Sequence, residues 1–234
     1  MADFGKGRVY TINGIEYPSV TTVLNIIEKP WLSAWQKKEM GGAIRTELMS
    51  ADLPKDGLER MDMLDEIIKQ SKKIPDLIGK TAMNLGTQIH EIIQKLSLGE
   101  KVATDLDTKI GVASWKLWRQ ESGMEIVETE KLVYDTVLGY AGTADAIFKD
   151  NLNRLCLIDY KTSSSGIKSD TFALQIAAYA SAYPKEITAG YIIMLNKTKP
   201  DFAVHKVNLE QSFEAFVNCL ELYKKMKGGN LWMQ

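Results

Sequence analysis

The stretch that decides the fold is Leu155-Cys156-Leu157-Ile158-Asp159-Tyr160-Lys161. Its first four residues form a nearly unbroken apolar run, which is typical of a central strand buried on both faces. Asp159 and Lys161 follow at the end of this strand, where burial of either charge is costly unless it has a partner. An acid-x-base triplet is common by chance in a chain with 30 acidic and 29 basic residues. The triplet is therefore informative because of its place at the end of the most apolar strand.

A second carboxylate, Asp145, ends the segment Gly142-Thr143-Ala144-Asp145 in the preceding predicted strand. If the two strands pair as neighbours, Asp145 and Asp159 converge at one end of the sheet. Two such carboxylates repel each other, and a shared proton or a hard divalent cation stabilises them. Lys161 lies on the same face as Asp159 and could orient or deprotonate an attacking water. Because no nucleophile is arranged with its base, metal-assisted hydrolysis is the chemistry that fits.

The segments around this strand predict a sheet covered by helices. Hydrophobic periodicity predicts strands at 124–134, 140–148, 154–160, 189–195 and 202–207, with helices at 170–182 and 209–227. Asn208 can cap the last helix. This order indicates an α/β or α+β fold with a mixed central sheet flanked by helices.

The first part of the chain is mostly helical. Asn13-Gly14 predicts a tight hairpin turn within 8–17. Ser19 can then cap a helix that Pro30 ends, and further helices are predicted at 31–50 (interrupted at Gly41-Gly42), 56–70, 82–98 and 107–120. We expect one domain, with a hairpin and helical region at 1–85 and the core at 86–234.

Composition limits the possible functions. The chain has 234 residues, 45% hydrophobic and 25% charged, with a formal net charge of -1, so any phosphate-binding surface must be local. Two cysteines, Cys156 and Cys219, are too few for an iron-sulfur cluster and favour a reducing compartment. The first residues lack an apolar run of signal-peptide length, and nowhere do about 18 apolar residues run together. We therefore expect a cytoplasmic protein with no iron-sulfur cluster and no membrane partner.

Two helical motifs complete the pattern. His90 lies in Gly86-x-x-x-His90, and Gln175 and Tyr179 stand four residues apart on one helix face. With the two aspartate segments, in this order, the chain resembles the RecB-type nuclease domain of the PD-(D/E)XK superfamily over about residues 86 to 195. The opening segment 17–24, Tyr-Pro-Ser-Val-Thr-Thr-Val-Leu, is similar to phage and mitochondrial genome-maintenance exonucleases of that group.

The resemblance implies a fold and an activity. The fold is a restriction-endonuclease-like core. The activity is a Mg²⁺- or Mn²⁺-dependent DNA exonuclease that favours single strands and serves replication, recombination or repair in a phage or bacterial setting. A structure-specific endonuclease on the same fold, or a catalytically silent DNA-binding module, is the alternative.

The resemblance also implies roles for individual residues. His90, Asp145 and Asp159 would bind the metal together with the main-chain carbonyl of Tyr160, and Lys161 would act on the attacking water. Three further residues would support this site: Gln175 and Tyr179 by holding the lysine or the DNA backbone, and Glu130 by adding an outer carboxylate. The superfamily's proline before the first aspartate is Ala144 here.

Plainer interpretations exist for each of these residues. Asp159 and Lys161 would then form a surface ion pair, which contributes little to stability. His90 would be a structural helix histidine, Gln175 and Tyr179 would pack and cap, and Glu130 would be a surface residue.

A local positive channel for DNA is expected from the helical region. Lys37 and Lys38 follow Trp31 and Trp35, a pair of aromatic side chains spaced to stack on unpaired bases. The alternatives are a solvated helix face for the lysines and core packing for the tryptophans.

Overall fold

The computed structural model describes residues 7–163 and 169–228. The strands of these residues are β1 (Val9–Ile12), β2 (Ile15–Pro18), β3 (Glu125–Asp135), β4 (Tyr140–Lys149), β5 (Leu155–Ser163), β6 (Ala189–Asn196) and β7 (Phe202–Val207). The helices are α1 (Val20–Leu24), α2 (Pro30–Ser50), α3 (Gly57–Ser71), α4 (Ile74–Ser97), α5 (Lys109–Ser122), α6 (Asp170–Ala182) and α7 (Leu209–Lys227).

Five strands form a mixed sheet in the order β3-β4-β5-β6-β7, and β1 and β2 form a separate antiparallel hairpin. β5 pairs with β6 in parallel, and the other neighbours in the large sheet are antiparallel. The apolar run of β5 occupies the centre of the sheet, with Cys156, Leu157 and Ile158 at most 1% exposed. The predicted class, a mixed sheet flanked by helices with an N-terminal helical region, is confirmed.

Helices pack on both faces of the sheet. On one face, α1, α6 and α7 bury a shared apolar cluster that includes Leu157, Ile176 and Phe216. On the other face, Trp118 of α5 packs edge-on against Phe148 and Tyr160, with ring centroids 5.3 and 5.7 Å apart. β5 is therefore enclosed from both sides, which explains why its first residues are apolar.

The helix caps at Ser19 and Asn208 are confirmed, since each side chain accepts a main-chain hydrogen bond from the first turn. Three predicted helix boundaries are wrong. α1 ends at Leu24, and Pro30 begins α2, where a proline costs no hydrogen bond. α2 continues through Gly41-Gly42. α4 begins at Ile74 rather than at residue 82, because Pro75 fits a first helical turn.

The chain divides into two compact units. The first contains the hairpin, α1 and everything from Gln88 onward, including the sheet. The second, Glu28–Thr87, contains α2, α3 and the first part of α4. The expectation of a single domain stays a prediction.

The helical unit, Glu28–Thr87, has almost no buried interior. Apart from Pro75, no apolar side chain in it is buried, and Trp31 is 45% exposed. Core packing of Trp31, one of the alternatives, is therefore wrong, whereas Trp35 is half-buried. Within residues 7–163 and 169–228, no helix has both the length and the hydropathy needed to cross a bilayer.

Candidate active site

The candidate site lies where two neighbouring strands part. Pairing between β4 and β5 runs from Lys149↔Leu155 to Ala146↔Ile158 and then stops. The next residue on each strand is an aspartate, Asp145 on β4 and Asp159 on β5. Oδ2 of Asp145 accepts a hydrogen bond of 2.8 Å from the main-chain N–H of Tyr160. The predicted pairing of these strands thus brings both carboxylates to one end of the sheet.

Asp159 is the most buried charged group of the site. Its side chain is 1% exposed, and Nζ of Lys161 lies 2.7 Å from its Oδ2. Even so, neither oxygen accepts a hydrogen bond of ordinary geometry from any residue within the described ranges. Burial raises the pKa of Asp159 to about 6. The positive charge of Lys161 lowers this pKa, and the negative charge of the nearby Asp145 raises it, but burial has the largest effect. A surface ion pair, the plain alternative, is therefore wrong for Asp159.

Lys161 is held by a short chain of polar contacts from α6. Its ammonium donates to Oε1 of Gln175 at 3.3 Å, and Nε2 of Gln175 donates to the hydroxyl of Tyr179 at 3.1 Å. The ammonium also lies 5.1 Å from the centre of the Phe172 ring. Because Gln175 and Tyr179 share a helix face, α6 presents both groups to the end of β5.

Lys161 carries its proton in this arrangement. Burial alone would lower its pKa, but the carboxylates of Asp159 and Asp145 outweigh that effect and raise it. An ammonium can donate hydrogen bonds but cannot accept a proton. The site therefore presents Lys161 as a donor that can orient water or stabilise negative charge.

His90 reaches the site from α4, in the part of that helix that belongs to the sheet-containing unit. Its Nδ1 lies 3.5 Å from Oδ2 of Asp145, and its ring stands edge-on to Tyr160 with centroids 6.1 Å apart. The side chain is 26% exposed. An imidazole nitrogen next to a carboxylate oxygen provides two ligand types that divalent metals accept together.

Glu130 faces the same place from β3. It lies between the pairs Thr129↔Ala146 and Lys131↔Ala144, which sets it opposite Asp145. Its φ of 48° is in the left-handed region, which few non-glycine residues occupy and which costs about 1–3 kcal/mol. Burial, together with the charge of Asp145, raises its pKa. Although its side chain is exposed, a strained carboxyl placed opposite Asp145 favours a role in the site over an ordinary surface position.

A small cavity lies among these groups. Its volume is about 10 Å³, and its lining includes His90, Glu130, Asp145 and Tyr160. That is about the space of one water molecule or one ion. Carboxylate and imidazole donors around such a space suit a divalent cation. In the described part of the chain, however, no three His, Cys, Asp or Glu side chains are grouped as a ready-made metal site.

The structure brings together the eight predicted residues from 90 onward: His90, Glu130, Asp145, Asp159, Tyr160, Lys161, Gln175 and Tyr179. The three predicted DNA-binding residues of α2 belong to the helical unit. There Lys37 and Lys38 are exposed and Trp35 is half-buried.

One neighbour of the site was not predicted. Tyr10 of β1 shares a hydrogen bond of 3.0 Å with Oγ1 of Thr143, two residues before Asp145. The sequence predicts the hairpin that carries Tyr10. No spacing or motif relates it to a strand 133 residues away, so only the folded structure shows this contact.

Comparisons with known proteins add little to this geometry. No protein-family model matches the chain, and no curated protein matches it. Among solved structures, the crystal structure of SSO0001 is similar over 53% of this chain, at 17% sequence identity and a TM-score of 0.32. The chain covers 60% of that structure's own length. A likeness of this extent supports no conclusion about fold family or function.

Proposed function

We propose that the chain is a metal-dependent deoxyribonuclease that hydrolyses phosphodiester bonds. The observation that carries this proposal is the pair Asp145 and Asp159 at the point where β4 and β5 part, with Lys161 2.7 Å from Asp159. A buried carboxylate next to a half-buried one, with a lysine donor beside them, suits hydrolysis assisted by a divalent cation.

Asp145, Asp159 and His90 would hold Mg²⁺ or Mn²⁺, with the carbonyl of Tyr160 as a further oxygen ligand and Glu130 as an outer carboxylate. When bound, such a cation supplies Lewis acidity and lowers the pKa of water, so that a nucleophile is available near neutral pH. Oδ1 of Asp159, which is buried and accepts no hydrogen bond from described residues, supports this assignment.

The side chains themselves supply orientation and charge. Lys161, as an ammonium, would donate a hydrogen bond to the attacking water or to a phosphate oxygen as negative charge develops. Gln175 limits where that ammonium can lie, and Tyr179 fixes Gln175. The N–H of Tyr160 holds one oxygen of Asp145 and so orients this carboxylate.

We assign the sheet-containing unit to the restriction-endonuclease-like folds, and the chain to RecB-type nucleases of the PD-(D/E)XK superfamily. The support is the order of the four motifs in the sequence, together with their meeting at one end of the sheet. On this assignment the substrate is DNA, cleaved from an end with a preference for single strands. The setting is replication, recombination or repair in a bacterial or phage-infected cytoplasm.

The direct test is incubation with end-labelled single- and double-stranded DNA in Mg²⁺, Mn²⁺ or chelator. We expect nucleotide release that needs the metal and is lost in Asp159→Asn. Asp150→Asn is the matched control, because Asp150 follows β4 at the opposite end of its pairing with β5 and is partnered by Arg154. DNA binding without cleavage in either metal would indicate the silent binding module instead.

A second experiment separates exonuclease from endonuclease. Linear and closed circular single strands of the same sequence are compared at matched concentration and low salt, since phosphate contacts weaken steeply as salt rises. We expect the linear strand to be degraded and the circle to survive. Comparable cleavage of the circle would favour the endonuclease.

A further inference from the structure

The β1–β2 hairpin occupies the side of β4 that β5 leaves open. β4 pairs with β3 along its length, whereas its pairing with β5 ends at Ala146. On the vacated side, Ser19 bridges to Ala141, and the hydroxyl of Tyr10 meets Thr143. The hairpin therefore lies next to the end of the sheet where Asp145 and Asp159 converge.

Arg8, just before β1, has a main chain held by hydrogen bonds and an exposed side chain. Its carbonyl accepts hydrogen bonds from the N–H of Ser19 at 2.9 Å and from Oγ1 of Thr22 at 3.0 Å. Its guanidinium lies 4.7 Å from the centre of the Tyr10 ring. Within residues 7–163 and 169–228 that guanidinium forms neither an ion pair nor a hydrogen bond. A guanidinium stacked on a ring keeps its N–H donors, which lie in its own plane, available to a ligand.

The charges around the site make an exposed arginine next to it informative. Glu130, Asp145 and Asp159 would repel a nucleic acid backbone, and the ammonium of Lys161 is already paired with Asp159. Arg8 is linked to this group through Tyr10, because its guanidinium lies over the Tyr10 ring and the Tyr10 hydroxyl meets Thr143, two residues before Asp145. A phosphate arriving at the site would therefore meet, in Arg8, a cation that forms no ion pair with any residue in the ranges 7–163 and 169–228.

We propose that Arg8 is a phosphate-binding residue of the site, contacting a backbone phosphate next to the phosphodiester that is cleaved. Tyr10 is its positioning residue, since the ring supports the guanidinium and the hydroxyl ties the ring to β4. This inference rests on the proposed nuclease function and extends it to a specific contact with the substrate.

The experiment is steady-state cleavage of a linear single-stranded oligonucleotide in Mg²⁺ by the unmodified chain, Arg8→Ala, Arg8→Lys and Lys206→Ala. Lys206→Ala is the matched control, because it removes one exposed positive charge from β7, two strands away from β5. For Arg8→Ala we expect KM to rise about tenfold with kcat nearly unchanged, as for the loss of one charged contact. The dependence of log(kcat/KM) on log[salt] should also become shallower by about 0.7, the value for one phosphate contact on a single strand.

Arg8→Lys should recover part of the loss, because it restores the charge without the planar donors. Tyr10→Leu should raise KM by itself but add little in an Arg8→Ala background, since both changes remove the same contact. A role of Tyr10 in folding alone would raise KM equally in both backgrounds. Binding of Mn²⁺, measured by calorimetry, should be unchanged in Arg8→Ala.

The two hypotheses fail in different ways. If the unmodified chain cleaves the oligonucleotide and Arg8→Ala behaves like Lys206→Ala in KM and salt dependence, the assignment of Arg8 is overturned and the nuclease stands. If the unmodified chain cleaves no DNA with Mg²⁺ or Mn²⁺, the nuclease proposal is overturned, and the assignment of Arg8 falls with it.

Discussion

The ring of Tyr179 lies against the main chain of Gly142. A Cβ atom at Gly142 would overlap Cε1 of Tyr179 and lie 3.0 Å from its Cζ. The absence of a side chain at Gly142 thus leaves room for the ring of Tyr179, whose hydroxyl accepts a hydrogen bond from Gln175, which in turn contacts Lys161. Gly142 acts on the site through Tyr179, at a distance from the chemistry.

We expect Gly142→Ala to destabilise the protein by about 1–3 kcal/mol, as overpacking of a buried contact does. Cleavage should fall further than stability explains, since Tyr179 can no longer hold Gln175 in place. Urea denaturation and kcat, measured on the same preparations, check this. Combining Gly142→Ala with Tyr179→Leu should cost less stability than the sum of the single changes. Strict additivity would show that the two residues do not interact.

Lys161→Ala is expected to retain binding of Mn²⁺ while cleavage falls by about 100- to 10,000-fold. The reason is that Lys161 is a donor and not a ligand. Asp159→Ala should lose both properties, because it removes a carboxylate from the proposed ligand set. Calorimetry with Mn²⁺ and the cleavage assay separate the two outcomes. Full activity of Lys161→Ala would refute the role assigned to the lysine.

Burial of Asp159 predicts a pH dependence of the metal-free protein. The folded protein holds its proton up to a pKa of about 6, above the ordinary 3.8. The unfolded chain releases this proton at a lower pH than the folded protein does. The free energy of unfolding therefore falls as pH rises from about 4 to about 6, and this contribution is constant above that range. The expected loss is about 2–3 kcal/mol.

Urea denaturation of the unmodified protein and of Asp159→Asn, both in chelator, measures this effect. Lys161 loses its charged partner in the variant, so a difference in stability at one pH has more than one cause. The informative quantity is how the difference in free energy of unfolding between the unmodified protein and Asp159→Asn changes with pH. At pH 7, Mn²⁺ should raise the Tm of the unmodified protein and not that of Asp159→Asn. A difference that stays flat between pH 4 and pH 7 would contradict the expected burial cost.

The order of the elements and most of the site could be predicted because both depend on local sequence. The alternation of apolar residues with a period of two predicted the strands, and the apolar run at 155–158 identified β5 as the central one. Pairing of β5 with the preceding strand then placed Asp145 near Asp159. The contacts of Tyr10 with Thr143 and of Tyr179 with Gly142 join segments far apart in the chain, so no local pattern indicated them.

The exposure of apolar side chains in the helical unit also could not be predicted from the sequence. Leu58 and Met61 keep the helical period and lie on α3 as predicted, yet they are 76% and 64% exposed. Periodicity reports which residues share a face of a helix. Whether a neighbour covers that face depends on tertiary packing, which a periodic pattern does not contain.

The lysines of α2 offer a test of how the helical unit takes part in binding. Lys37 and Lys38 are exposed and adjacent. If they contact phosphates, changing both to alanine should weaken binding of a single strand. The slope of the logarithm of the binding constant against log[salt] should also become shallower by about 1.4, or about 0.7 for each contact. Binding of Mn²⁺ should not change.

The matched control is the double change at Lys225 and Lys227, two exposed lysines near the end of α7 that carry the same charge. Anisotropy of a labelled oligonucleotide in Ca²⁺, measured over a range of salt concentrations, gives both quantities. Equal effects of the two double variants would mean that only net charge matters, and the assignment of Lys37 and Lys38 would be wrong.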